Sequence, residues 1–298
     1  MTGGAGFIGS HLVPALLDGG ARVTVLDDLS TGNRQNVPAG ASFVRGDVRD
    51  SRTLANCLRN QHYVFHLAAQ VGNVLSLNDP LTNMEINVGG SIRVFEEARH
   101  AGVKRIVYAS SSAALGDARE VPQNEAHPCN PLSPYGVSKL SAEQYGLSLG
   151  RVQGVHFVAL RFFNVYGPRQ GSTEYGNVIP VFFRRLQERK PLVVFGSGRQ
   201  TRDFTYVGDV VQAILRASQS PQASGEVFHI GTGRATSIVS LAKTIQKVAG
   251  MSARIRHEPP RAGEVRDSVA DIRKARRLLG YSPKFTLSAG LGLTLASL

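Results

Sequence analysis

The chain has 298 residues, of which 42% are hydrophobic and 19% charged, a balance that is ordinary for a globular protein with a large core. Its formal charge of +12 favours anionic ligands, but Lys and Arg are dispersed and Trp is absent, which argues against a nucleic-acid partner. No run predicts a membrane span or a leader peptide, and the two cysteines, Cys57 and Cys129, lie far apart. These features predict a cytoplasmic protein without a disulfide framework.

A glycine-rich segment, TGGAGFIGS, opens the chain and is followed by an apolar helical stretch. Gly3, Gly6 and Gly9 have the spacing of a strand-to-helix turn whose backbone amides can bind a pyrophosphate. Asp27 ends a strand-like run about 20 residues further on, where a carboxylate can bind an adenosine ribose 2'-OH and would repel a 2'-phosphate. The alternative is an ordinary glycine-rich turn, but the combination predicts an NAD site.

The segments that follow alternate between strand-like and helix-like patterns of apolar residues. Strands are predicted at 23–27, 42–46, 63–67, 105–109 and 156–161, and helices at 52–60, 81–100 and 133–149. Such alternation indicates an α/β fold, a doubly wound parallel sheet of the Rossmann type. We predict an NAD-binding domain at 1–164, completed by 207–233, and a smaller substrate-binding domain at 165–206 and 234–298.

Tyr135 and Lys139 stand one helical turn apart in SPYGVSK. Residues at i and i+4 share a helix face, so the Lys139 ammonium can favour the ionised form of the Tyr135 phenol by lowering its pKa. An ionised phenol can act as a general base. The spacing also recurs on solvated helix faces, and it gains weight here from the glycine loop.

In order along the chain, TGGAGFIGSHL, LDDLSTG, GDVRD, VFHLAAQ, SSSAALG, SPYGVSK, RFFNVYGPRQ and RAGEVRDSVAD resemble the motifs of extended short-chain dehydrogenases/reductases. The likeness is greatest to the nucleotide-sugar 4-epimerases, the UDP-glucose 4-epimerase group, and it extends over nearly the whole chain. Members of that family have a hydrophobic strand before TGG, whereas this chain has only Met1 and Thr2 there. We therefore expect the first strand of the sheet to be missing.

The resemblance implies the positions that contact NAD. Beside the three glycines and Asp27, it assigns cofactor contacts to Phe7, Ile8, Asp28, Ser30, Thr31, Gly32, Asp47, Val48, Leu67, Ala68, Ala69, Gln70, Asn87, Ser110, Tyr135, Lys139 and Phe162. Asp47 and Val48 match the adenine, and Phe162 the face of the nicotinamide ring.

The resemblance also implies a UDP-sugar substrate. Ser112 is matched to the hydroxyl that donates to the sugar oxygen, and the other substrate contacts are assigned to Asn164, Asn177, Val193, Phe195, Arg202, Arg261, Glu264 and Ser268. Planar guanidinium groups suit bidentate phosphate binding, although the arginines could equally form surface salt bridges. A small side chain at Ser268 is expected to leave room for an acetamido group at the sugar C2.

Ala113 and Ala114 stand where related dehydratases and decarboxylases carry Asp or Glu, which favours epimerisation. The expected enzyme is a UDP-hexose 4-epimerase for UDP-glucose and UDP-galactose, and also for their N-acetylated counterparts. The alternatives are a nucleotide-sugar dehydratase or decarboxylase, or a non-catalytic NAD-binding regulatory protein. His62 and His66 lack the further ligands of a metal site, so no metal is expected, and we expect a homodimer.

Overall fold

The computed structural model of the chain describes residues 1–171, 177–260 and 264–298. The strands are β1 to β13, at Thr24–Asp27, Ser42–Arg45, Tyr63–His66, Arg105–Ser111, Phe157–Phe162, Val165–Tyr166, Leu192–Phe195, Thr201–Arg202, Thr205–Tyr206, Val227–Ile230, Thr236–Ser237, Ile255–Glu258 and Asp267–Ser268. The helices are α1 to α11, at Gly9–Asp18, Ser51–Leu58, Asn73–Asn78, Pro80–Met84, Ser91–His100, Pro134–Gln153, Val178–Gln187, Val207–Gln219, Ile238–Ala249, Arg273–Leu279 and Leu287–Leu295.

A parallel sheet with helices on both faces confirms the predicted α/β fold. Strands β3, β4, β5 and β10 pair in parallel in the order β10-β5-β4-β3, and β1 pairs with β2. The helices α1, α8 and α10 cover one face, and α2, α5 and α6 cover the other. Apart from the edge strand β2, these strands are buried along most of their length, and they therefore contain nearly continuous apolar runs.

The place of the expected first strand is taken by the residues just before the glycine loop. Thr2 makes single parallel bridges to Leu26 of β1 and to His66 of β3. Its amide donates to the Phe65 carbonyl at 3.0 Å, and its carbonyl accepts from the Leu67 amide at 3.1 Å. Thr2 thus joins the two halves of the sheet, which gives the order β2-β1-Thr2-β3-β4-β5-β10, and the glycine loop leaves from its centre.

The predicted helix at 81–100 is divided in the structure. Between α4 and α5 the backbone forms a π-helical turn, Glu85–Gly90. Apolar periodicity does not distinguish such a turn from regular helix, and π-turns are frequent at functional sites. This one carries Asn87.

A second core lies beside the sheet, formed by α7, α9 and α11 with the short strands β6, β7, β9 and β12. Phe7 and Ile8 of the glycine loop pack against it. The division of the chain at 164, 206 and 233 stays a prediction. Within the described ranges, no helix is long and apolar enough to cross a membrane, and no group of three potential metal ligands occurs.

Candidate active site

The glycine loop leaves the sheet where its order reverses, the usual place of a ligand crevice in doubly wound folds. Gly3 has a φ of +71°, and a Cβ there would lie 2.5 Å from the Ala68 nitrogen. A Cβ on Gly9 would lie 2.4 Å from the Gly3 carbonyl oxygen. Both positions therefore require glycine, because the loop crosses its own backbone and the start of the 67–70 segment at close range.

Helix α1 presents an anion site at its N-terminus. Its N-cap, Ile8, offers no side-chain acceptor, and among the described residues no acceptor is recorded for the amides of Phe7, Ile8 and Gly9. A Cβ on Gly6 would meet only the Gly3 oxygen, at 3.4 Å. Free amides, the positive end of a helix dipole and an uncovered glycine fit the pyrophosphate of a dinucleotide.

Asp27 is 6% exposed and already binds the protein. Its carboxylate accepts from the amides of Ala5 and Leu29, both at 2.9 Å. The remaining lone pairs of the two oxygens are enough for ribose hydroxyls as well. The sequence had assigned Asp27 to the ribose, and the structure shows that it also holds the glycine loop against β1.

The segment after Asp27 lies beside the glycine loop. Asp28 accepts from the amide and hydroxyl of Ser30, and these residues and Thr31 are exposed. A Cβ on Gly32 would lie 3.0 Å from both Ala5 and the Asp27 Oδ1. The predicted ribose-binding residues are thus brought to one edge of the glycine loop.

The positions matched to the adenine and to the nicotinamide half have different surroundings. Asp47 pairs with Arg49 at 2.7 Å, which lowers the pKa of the carboxyl. Val48 is buried and packs on the π-helical turn. Asn87 accepts from the Gln70 amide at 2.8 Å and donates to the Ser138 hydroxyl at 3.0 Å, and so joins the 67–70 segment to helix α6.

Helix α6 carries Tyr135 and Lys139. The Ser133 hydroxyl accepts from the Gly136 amide at 3.2 Å and Pro134 occupies the first turn, a favourable helix start. Lys139 is 2% exposed, and its Nζ lies 4.4 Å from the centre of the Tyr108 ring. Burial lowers the pKa of Lys139 from 10.5 to about 7, an effect that Glu143 partly offsets.

Burial raises the pKa of the Tyr135 phenol, and a hydrogen bond with Ser111 opposes the change. The Lys139 ammonium lies over the Tyr108 ring, and the pKa of the Tyr135 phenol is raised overall. The expected lowering of the Tyr135 pKa by Lys139 is therefore not found. Tyr135 and Lys139 share one face of helix α6, as their spacing predicts.

The three serines after residue 109 have different surroundings. Ser110 is buried and donates to Glu143 at 2.6 Å. Ser111, rather than Ser112, is near enough to Tyr135 to oppose the rise in the pKa of its phenol, and its hydroxyl accepts from the Ala113 amide at 3.1 Å. Strand β4 continues to Ser111, and successive side chains of a strand point to opposite faces, so Ser110 and Ser111 separate. The structure thus brings Ser111 to Tyr135, and the cofactor contact assigned to Ser110 and the substrate contact assigned to Ser112 stay predictions.

The predicted substrate residues are partly brought together. Arg202 in β8 lies opposite Ser268 in β13, and it binds Glu264 at 3.0 Å and the Thr201 carbonyl at 2.8 Å. Phe162 ends β5, and Asn164 lies two residues further on. Val193 and Phe195 are half-buried in β7, and Asn177 is exposed before α7. Arg261 lies outside the described residues.

Comparison with known proteins shows which family the chain resembles. Residues 1–231 match the NAD dependent epimerase/dehydratase family. A putative UDP-glucose 4-epimerase of Methanocaldococcus jannaschii is 39% identical over 98% of this chain and 95% of its own length.

Two solved structures are also similar along the whole chain. UDP-glucose 4-epimerase of Thermotoga maritima with UDP-glucose has a TM-score of 0.96 and 38% identity, covering 99% of this chain and 96% of that one. A dTDP-glucose 4,6-dehydratase of Streptomyces venezuelae with NAD bound has a TM-score of 0.93 and 31% identity, covering 99% and 94%. The chain therefore belongs to the NAD dependent epimerase/dehydratase family, which confirms the prediction that its cofactor is NAD.

Proposed function

We propose that the chain is a UDP-hexose 4-epimerase that interconverts UDP-glucose and UDP-galactose through a transient 4-keto sugar. The observation that carries the proposal is that Tyr135 lies beside Ser111, at the carboxyl end of β4, and one helical turn from the buried Lys139. The similarity to two proteins named as UDP-glucose 4-epimerases supports the substrate class.

In this mechanism Tyr135 removes the proton from the sugar 4-hydroxyl, and the Ser111 hydroxyl donates to the same oxygen. NAD, when bound, supplies the chemistry of accepting a hydride from C4 and returning it. The keto sugar turns about its diphosphate link, and Tyr135 then returns the proton at the opposite face. The Lys139 ammonium holds the nicotinamide ribose and stabilises the phenolate, and Arg202 binds the diphosphate.

A dehydratase would need a carboxylate near the sugar C5 and C6 to eliminate water. The two residues after Ser112 are Ala113 and Ala114, which have no acid or base. The similarity to a dTDP-glucose 4,6-dehydratase therefore supports the shared oxidation at C4 and not the elimination step. An assay by NMR of UDP-glucose with the purified protein and NAD distinguishes the two reactions, because only a dehydratase loses water.

The first prediction concerns the acid-base pair. Tyr135→Phe is expected to reduce turnover by roughly 10² to 10⁴ while NAD affinity stays within about twofold, since the phenol oxygen acts in the chemical step. Ser111→Ala is expected to reduce turnover by at least ~10-fold, and Ser112→Ala, the matched control, to change it much less. Near-normal turnover of Tyr135→Phe would refute the proposed mechanism, and equal losses in the two serine variants would refute the assignment of Ser111.

A further inference from the structure

A buried charged cluster beneath helix α6 takes no part in the mechanism above. Glu143 lies one turn after Lys139 and is 0% exposed. Its carboxylate accepts from Arg161 Nη2 at 2.6 Å, from Arg161 Nε at 3.0 Å and from the Ser110 hydroxyl at 2.6 Å. These contacts fix the carboxylate to β4 and β5 behind the catalytic helix.

Stability alone does not account for this cluster. Burying an ion pair costs desolvation energy that its attraction often fails to recover, and apolar replacements are frequently as stable. Arg161 and Glu143 are nevertheless arranged in a bidentate pair, with side-chain exposures of 4% and 0% respectively. A buried carboxylate in a fixed position one turn from a buried lysine can instead serve to favour the charged form of that lysine.

The other groups facing Lys139 are uncharged at neutral pH. His66 approaches from β3, and burial lowers its pKa to about 3. Tyr108 approaches from β4, and burial raises the pKa of its phenol. Tyr135 on the same helix has a raised pKa as well. Across the described ranges, Glu143 is the single anion that acts on Lys139.

We propose that Glu143 is a positioning residue that keeps Lys139 in its ammonium form. The inference deepens the proposed function, since the ammonium is the form that assists Tyr135. Arg161 also contacts Cys129 and His229, which complete the cluster.

The test is a titration of Lys139 in protein without cofactor, so that it is independent of the epimerase assay. The chain has seven lysines, and labelling their ε-carbons with ¹³C gives a spectrum in which Lys139 is the signal lost in Lys139→Met. In Glu143→Gln the pKa of Lys139 is expected to fall from about 7 by ~1 unit or more, because the nearby anion is lost. An unchanged pKa would overturn the inference.

Two controls separate charge from packing. Glu143→Asp keeps the charge and Ser110→Ala keeps the carboxylate, so both are expected to leave the Lys139 pKa within about half a unit of the wild-type value. A fall in Ser110→Ala as large as in Glu143→Gln would overturn the role of the charge. Because Glu143→Gln leaves Arg161 unpaired, the double variant Glu143→Gln/Arg161→Met is titrated in parallel, and the same fall is expected there.

Activity provides the second measurement. Loss of the Lys139 proton limits activity on the alkaline side, so the alkaline limb of the kcat/KM profile in Glu143→Gln is expected to move to lower pH by the same ~1 unit. In Glu143→Asp the alkaline limb of the kcat/KM profile is expected to lie at the same pH as in the wild-type protein. If Lys139 titrates as expected but the wild-type protein does not epimerise UDP-glucose, the proposed function fails and the role of Glu143 stands.

Discussion

At the level of single residues, function and stability are opposed in Lys139. Burial lowers its pKa from 10.5 to about 7, whereas the unfolded chain keeps the proton up to the ordinary lysine pKa. Folding below pH 7 therefore carries the full cost of burying the ammonium. Between about pH 7 and 10.5 the unfolded chain binds more protons than the native protein, so this cost decreases and stability rises with pH.

Lys139→Met is therefore expected to raise the free energy of unfolding by at least ~1 kcal/mol near neutral pH, with a gain that fades towards pH 10. Turnover is expected to fall in the same variant. Glu143 keeps its partner Arg161, so no uncompensated charge remains. Urea unfolding over this pH range measures the gain, and the exposed Lys104→Met is the control. A less stable Lys139→Met protein at neutral pH would contradict the argument.

A second prediction concerns Ser268 and the choice between sugars. It is 6% exposed and lies in β13 opposite Arg202. If it borders the sugar C2, Ser268→Tyr fills the space for an acetamido group. Overfilling a packed site costs ~1 to 3 kcal/mol, so activity on UDP-N-acetylglucosamine is expected to fall about tenfold or more while UDP-glucose is spared.

Relative kcat/KM values on the two sugars measure this effect, with Ser268→Ala as the small-residue control that keeps both activities. Equal losses on both sugars, or no wild-type activity on the acetylated one, would show that Ser268 does not determine the choice.

The serines show how far the sequence predicts a site. Motif matching through SSSAALG placed a hydroxyl near Tyr135 and selected Ser112, and the strand was predicted to end at residue 109. The strand continues to Ser111, and alternation along it would have separated Ser110 from Ser111. The contact between Ser110 and Glu143 depends on the packing of α6 against β4, which local sequence does not specify.

At the level of elements, the glycine loop offers a matched pair of substitutions. A Cβ on Gly9 meets backbone at 2.4 Å, whereas one on Gly6 meets only the Gly3 oxygen, at 3.4 Å. Gly9→Ala is expected to lower both the melting temperature and NAD affinity. Gly6→Ala is expected to preserve the melting temperature and weaken NAD binding by about tenfold, since its methyl group occupies the surface where the pyrophosphate approaches.

Differential scanning fluorimetry and calorimetric NAD titration separate the two effects. Binding of NAD by Gly6→Ala as tight as in the wild-type protein would refute the role of Gly6 at the pyrophosphate. A Gly9→Ala protein as stable as Gly6→Ala would refute the role of Gly9 in packing the loop.

Elements were predicted well where one pattern governs a long segment. The helix that carries Tyr135 was expected at 133–149 and is found at Pro134–Gln153. The π-helical turn at Glu85–Gly90 was missed, because its apolar residues fit a regular helix equally well. The strand expected to be missing is represented by the bridges of Thr2 to both neighbours, which depend on long-range pairing and leave no periodic pattern in so short a segment.

At the level of the whole molecule, an apolar face lies on the side of α6 away from the catalytic residues. Met84, Leu132, Val137 and Tyr145 are between 42% and 51% exposed and line a groove between α4 and α6. Exposed apolar patches of this kind mark protein interfaces. The described residues that line the groove are uncharged, so two copies of a chain with a charge of +12 can meet there without bringing like charges together.

We propose that the chain forms a homodimer through this face, and that Val137→Glu converts it to a monomer, because a carboxylate buried at an apolar interface costs several kcal/mol. Light scattering after size-exclusion chromatography gives the mass. Val152→Glu is the matched control, since Val152 is 79% exposed near the end of the same helix and does not line the groove. A wild-type monomer, or dissociation in both variants, would place the interface elsewhere. Because Val137 lies between Tyr135 and Lys139, dissociation is also expected to loosen the catalytic helix and lower turnover.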